Sequence, residues 1–231
     1  MKPLLLLVFA AAAALGVAGC GGDDGSATST GPVTLEQRVV TEEDAPGSEA
    51  DPVEQPVKVS SKDEFASKLG DRFVNPPPED IQTLANSSFV SAYDATRFIP
   101  AEEGGPHSRT APHVSSLVMQ FGTADDAKTA AELLQADSVR PCPETCAEQA
   151  EEFEVDGIPD AYGTHRFATA ESIQESGDTQ ADPFDGFEIG FADGMFTYRV
   201  IVDGPPGTVS EDEALEIVQR FYGRVHGAPA A

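Results

Sequence analysis

The chain contains no tryptophan, and aromatic residues make up 7% of its 231 positions. That scarcity weighs against a surface built to stack sugar rings. Basic side chains are scarce too: 14 Lys and Arg stand against 40 Asp and Glu, a formal charge of −26 at pH 7. So negative a chain repels phosphate backbones and anionic headgroups, which excludes nucleic acid as a partner. The same charge favours cations or a basic partner, or serves only to solubilise the surface. Catalytic signatures are missing as well: no G-x-S-x-G elbow, no S-x-x-K, no Walker loop and no G-x-G-x-x-G occurs. His107, His113, His165 and His226 form no i, i+4 pair and no H-E-x-x-H. Neither a metal nor another cofactor is therefore expected. His165, beside Arg166, reads as a surface or hydrogen-bonded histidine. The apolar run from Leu4 to Leu15 falls short of the roughly 20 residues that a membrane span needs.

That short run has a different use. It follows Lys2 and ends at Val17-Ala18-Gly19-Cys20. A basic start, a short apolar core and a small-residue exit describe a secretory signal peptide. The exit resembles the lipobox of bacterial lipoproteins, which is an aliphatic residue, two small residues and Cys. The resemblance implies that Cys20 is thioether-linked to a diacylglycerol, carries palmitate-type chains and becomes the first residue of the mature protein. Two acyl chains anchor stably where one is marginal. Residues 1–19 are then the signal peptide. Residues 20–32, rich in Gly, Ser and Thr, are a lipidated flexible tether. The expected location is the extracytoplasmic side of the cell membrane, within the cell envelope.

With Cys20 taken by lipid, Cys142 and Cys146 remain as an even pair in an oxidising compartment, and a disulfide is the default. Their C-x3-C spacing differs from the redox C-x-x-C. A metal site would need more ligands nearby. A structural bridge is the expectation.

Residues 33–231 read as a single α+β domain. Val33–Val40 suggests a strand, and residues 41–56, with Glu42, Glu43, Asp44, Pro46 and Pro52, an extended acidic loop. Ser61 and Glu64 form a capping box before a short helix that places Phe65 and Leu69 on one face. Glu79–Ala85 reads as a second short helix. Phe89–Ile99, His113–Phe121 and Tyr162–Thr169 have strand character. Thr123 and Ser210 begin helices with apolar stripes at Ala127, Ala130, Ala131 and Leu134, and at Ala214, Leu215, Ile217, Val218, Phe221, Tyr222 and Val225. Asp182-Pro183-Phe184-Asp185-Gly186 reads as a turn.

Phe187–Ala192 and Met195–Asp203 flank Asp193-Gly194, a favoured hairpin turn. That turn sets Phe191 against Phe196, Ile189 against Tyr198 and Phe187 against Val200, all on one face. Glu188 then meets Arg199 on the opposite, solvent-facing side, a pair worth under about 1 kcal/mol.

Strand, strand, capped helix occurs twice, which suggests an internal duplication. An antiparallel sheet with helices packed on one face satisfies the pattern. The layout loosely resembles the PsbP-like fold found in several actinobacterial lipoproteins. Such a resemblance implies little about function. The leading expectation is a membrane-anchored, non-catalytic binding or interaction domain, whose partners are the membrane through Cys20 and an extracytoplasmic protein or small ligand. Its binding surface is expected on the 41–56 segment and the Pro100–Pro112 loop. The alternatives are a carrier of an apolar ligand such as a lipid and, third, a hydrolase.

Overall fold

A computed structural model describes residues 33–69, 78–100, 111–141, 146–177 and 182–227. The signal peptide, the tether with Cys20, Cys142 and residues 101–110 of the expected binding loop lie outside them. Eight strands form one sheet: β1 Glu49–Ala50, β2 Val57–Val59, β3 Phe89–Phe98, β4 His113–Phe121, β5 Gln149–Phe153, β6 Tyr162–Ala168, β7 Phe184–Asp193 and β8 Phe196–Gly204. Their order is β1-β3-β4-β8-β7-β6-β5, with β2 also paired to β3. Every pairing is antiparallel. The helices are α1 Lys62–Leu69, α2 Pro78–Asn86, α3 Ala124–Ser138, α4 Ala170–Ser176 and α5 Glu211–Val225. Thr123 and Ser210 cap α3 and α5 as expected, accepting from the amides of Asp126 and Glu213.

Register assigns the two faces. Val118 sits opposite Tyr198, and Met119 opposite Thr197. Val114, Val118, Tyr198 and Val200 pack with Ala214, Ile217, Val218 and Phe221 of α5. Leu117, Met119 and Phe121 pack with Ala127, Ala130 and Leu134 of α3, joined by Phe65 and Leu84. The α+β class and the antiparallel sheet are as expected, while the helices divide between both faces of the sheet. Connection length accounts for this. Gly122 alone separates β4 from the Thr123 cap, so α3 folds at once onto the face of Phe121. The longer Pro205–Val209 connection lets α5 reach the opposite face. The repeated strand–strand–helix order, β3-β4-α3 and β7-β8-α5, is therefore a repeat of order and not of geometry.

The β7–β8 hairpin forms, two residues out of the expected register. Asp193 pairs with Phe196, so Gly194 and Met195 make the turn, with Gly194 at φ +56°. Phe191 faces Tyr198, Ile189 faces Val200 and Phe187 faces Val202. A shift of two preserves side-chain parity. Phe187, Ile189, Phe191, Phe196, Tyr198 and Val200 thus still share one buried face. Glu188 and Arg199 are not partners: Glu188 lies opposite Ile201 and Arg199 opposite Gly190. Nor do they face solvent, being 1% and 4% exposed. The face expected to be wet is covered by α3 and is a second core.

The N-terminal segment also departs from expectation. Leu35–Gln37 is a 3-10 turn in place of a strand, and Val39, Val40, Ala45 and Asp44 are buried. Arg224 of α5 binds the Asp44 carboxylate through Nε at 3.0 and 3.1 Å. It also donates to the carbonyls of Gln37 (2.6 Å) and Val39 (2.7 Å). Arg38, 1% exposed, donates to Tyr198 Oη at 2.8 Å and lies 3.9 Å over the Phe196 ring. Residues 34–48 form a strap held against α5 and the hairpin, so Asp44, Ala45 and Ser48 of the expected acidic loop are buried while Glu42 and Glu43 stay exposed.

Candidate functional site

The α3 face carries an unusual load of polar side chains. Odd positions of β8 and even positions of β7 and β6 put Thr197, Arg199, Glu188, Tyr162 and Thr164 there. The small side chains Ala127, Ala130 and Ala131 of α3 leave room beneath the helix. Thr197 donates to the Ala127 carbonyl, and the hydroxyls of Ser138 and Thr164 meet at 2.8 Å. Tyr162 Oη donates to Glu188 Oε1 at 3.0 Å. Glu188 Oε2 lies 3.9 Å from Arg166 Nη1, and Arg166 is bound in turn to Glu148. Burial pushes the Glu188 carboxyl above its usual range, while Arg199 and Arg166 pull it back. Burial holds the Tyr162 phenol well above its usual range. A catalytic acid or base must come within hydrogen-bond reach of its substrate. At 1% exposure Glu188 has no such reach. The cluster fills a core with paired polar groups, except that Glu188 Oε2 accepts no hydrogen bond, and it positions the strands around it.

The same face opens at the far end of the sheet, past α3. There β4 begins and β8 ends, and His113 and Asp203 are cross-strand neighbours. They line a cleft of about 360 Å³ together with Ala111, Asp182, Pro183, Phe184 and Pro205. Asp51 forms the next layer. Its Oδ1 accepts the amides of Val53 (2.8 Å) and Glu54 (3.1 Å), and its Oδ2 lies 3.8 Å from His113 Nδ1. Glu54 accepts from Thr96 Oγ1 at 3.0 Å. Burial raises the Asp203 carboxyl, the charge of His113 lowers it, and Glu54 raises it further. Gly186 sits beside Asp203 in the register, and a Cβ there would come within 3.3 Å of the Asp203 Cβ. The cleft thus combines apolar walls with a histidine, two carboxylates and no hydroxyl or thiol nucleophile among its lining residues.

The residues singled out from sequence fall unevenly. Cys20, the expected lipid site, and Cys142, one half of the expected Cys142–Cys146 bridge, lie outside the described residues. His165 is half-buried, stacked on Phe167 and Phe187 with centroids at 4.7 and 4.6 Å, and its Nε2 is 3.3 Å from Asp185 Oδ1. It is a packed, hydrogen-bonded histidine. The 41–56 segment contributes Asp51 and Glu54 to the cleft's surroundings, while its earlier half is strap. Asp185 and Gly186 belong to β7 rather than to a turn, and Asp182 and Pro183 line the cleft. His113 and Asp203 were not singled out together. Their pairing depends on β4 lying next to β8, a contact between strands far apart in sequence. Among the described residues no group of three or more His, Cys, Asp or Glu is arranged to hold a metal ion. No described helix is long and apolar enough to cross a membrane.

No family model and no curated protein matches the chain. Among solved structures, it is similar to the extracellular domain of PknH from Mycobacterium tuberculosis, with a TM-score of 0.49 and 12% identity over 84% of this chain and 97% of that one. It is also similar to an uncharacterised protein from Mycobacterium smegmatis, an Rv0999 ortholog, with a TM-score of 0.36 and 11% identity over 80% of this chain and 97% of that one.

Proposed function

We propose that this chain is a lipid-anchored extracytoplasmic protein whose domain binds a small ligand without transforming it. The observation that carries the binding reading is the cleft at the open end of the α3 face, where His113 and Asp203 meet between the apolar walls of Pro183, Phe184 and Pro205. A concave site with few, convergent polar groups on a rigid sheet suits recognition. The lipid-carrier alternative would need a surplus of apolar space inside the fold. Ile189, Val200 and Val118 at 0% exposure weigh against it, since the α5 side of the sheet is filled by its own side chains.

The anchor rests on the lipobox resemblance at Cys20. Native purification from membranes, followed by mass spectrometry of the N-terminus and of co-purifying molecules, tests both parts. A diacylglyceryl Cys20 and one retained small molecule are expected. A mature N-terminus elsewhere overturns the anchor. Hydrolytic turnover lost with one cleft substitution overturns the binding reading in favour of the enzyme. The same spectra, taken without reduction, test the Cys142–Cys146 bridge, which free thiols at both positions would overturn.

A further inference from the structure

Charge in and around the cleft is matched except at one point. His113 Nδ1 lies 3.8 Å from Asp51 Oδ2. Arg166 is bound to Glu148 and lies 3.9 Å from Glu188. Asp203, beside His113 on the sheet, accepts no hydrogen bond and has no ion-pair partner among the described residues. Asp203 is half-buried among the residues that line the cleft, so its carboxylate is within reach of a ligand there. A perturbed group of this kind in a cleft marks a candidate site. The walls narrow the choice of ligand. A hard metal ion would want about six oxygens around it. Pro183, Phe184 and Pro205 offer hydrocarbon instead.

Resting on the reading of this cleft as the binding site, we infer that it takes a small organic cation, with an ammonium head against the Asp203 carboxylate and a hydrocarbon body against Pro183, Phe184 and Pro205. An anion of the same shape meets the Asp203 carboxylate and is rejected. A neutral analogue packs on the same walls and leaves Asp203 unmatched.

The test uses the purified full-length protein and probes of matched shape: 2-phenylethylammonium, 2-phenylethanol and 3-phenylpropionate. Amide NMR shifts are followed at Ala111, His113, Asp182, Phe184, Asp203 and Gly204. The ammonium probe is expected to shift these amides and to bind at least about tenfold more tightly than the alcohol, the scale of one charge-assisted contact. Asp203→Asn should remove that advantage while leaving the amides of the hairpin and α5 in place. Equal binding of alcohol and ammonium to the wild type overturns the inference and needs no variant to fold. Preferred binding of phenylpropionate overturns the cation but keeps the cleft as a binding site. Absence of shifts with every probe overturns the inference, while the cleft reading is judged separately by what co-purifies. N-acetyl-lysine methylamide serves as a fourth probe. Binding stronger than that of 2-phenylethylammonium supports the ammonium chemistry and assigns its source to a protein side chain.

Discussion

The ring of Tyr162 lies across Gly190, its cross-strand partner, so closely that a Cβ at Gly190 would fall within 2.5 Å of Tyr162 Cζ and Oη. The missing side chain is what lets the phenol reach Glu188 Oε1 at 3.0 Å. Gly190→Ala should displace the ring and break that hydrogen bond, at about 1–3 kcal/mol for overpacking. Urea unfolding reads the loss. In a Tyr162→Ala background the same substitution should cost less than about 1 kcal/mol, because the two sites share one contact. Equal costs in both backgrounds would show that the ring is not the obstacle.

Arg224 holds the strap. It neutralises Asp44, which is 1% exposed, and satisfies the carbonyls of Gln37 and Val39. Removing one partner of a buried pair leaves an uncompensated charge and costs about 3–5 kcal/mol. The Arg224 side chain is 25% exposed, so solvent screening reduces the expected loss for Arg224→Ala to about 2–3 kcal/mol. Residues 34–48 should become the first site of proteolysis. Unchanged protection of that segment would mean that Arg38 and the buried Val39 and Val40 suffice to hold it.

Much of the architecture was legible because local signals agreed with one another. The caps Thr123 and Ser210, the α3 and α5 stripes and the strand His113–Phe121 all stand where the pattern placed them. The hairpin's apolar face was legible too, although Asp193-Gly194 mispositioned its turn, because parity survives a shift of two. What the pattern hid was the other face. Thr197, Arg199, Ile201 and Asp203 alternate with apolar residues just as a wet face does, and only the placement of α3 makes part of that row interior. The cleft was hidden for a related reason. His113 and Asp203 are brought together by the β4–β8 pairing, which no local signal encodes. Arg38, a charged residue in a stretch read as a strand, gave no hint that it would pack under Tyr198.

Arg199 measures this difference directly. An exposed pair would make Arg199→Ala nearly silent, below about 1 kcal/mol. The buried position predicts a loss of about 3 kcal/mol or more, since the Glu188 carboxylate then keeps Arg166 as its one remaining basic neighbour. Denaturant midpoints at neutral pH separate the two values. A loss below about 1 kcal/mol would mean that Arg166 alone balances Glu188.

Glu188 should make stability depend on pH in an uncommon direction for a carboxylate. Burial holds its folded pKa above the ordinary 4.5. Between the two values the folded protein keeps a proton that the unfolded chain has released. Stability from this group is therefore fully present below the unfolded pKa and is lost as pH rises through the folded one. Glu188→Gln carries no such proton, and other titrating groups, Asp203 included, are common to both proteins. The stability of the wild type minus that of Glu188→Gln should therefore increase as pH is lowered from neutral towards about 4.5 and then level off. Urea midpoints at a series of pH values, compared at constant m, give the difference. A decrease on acidification would mean that Arg199 and Arg166 outweigh burial and hold Glu188 as a stable carboxylate.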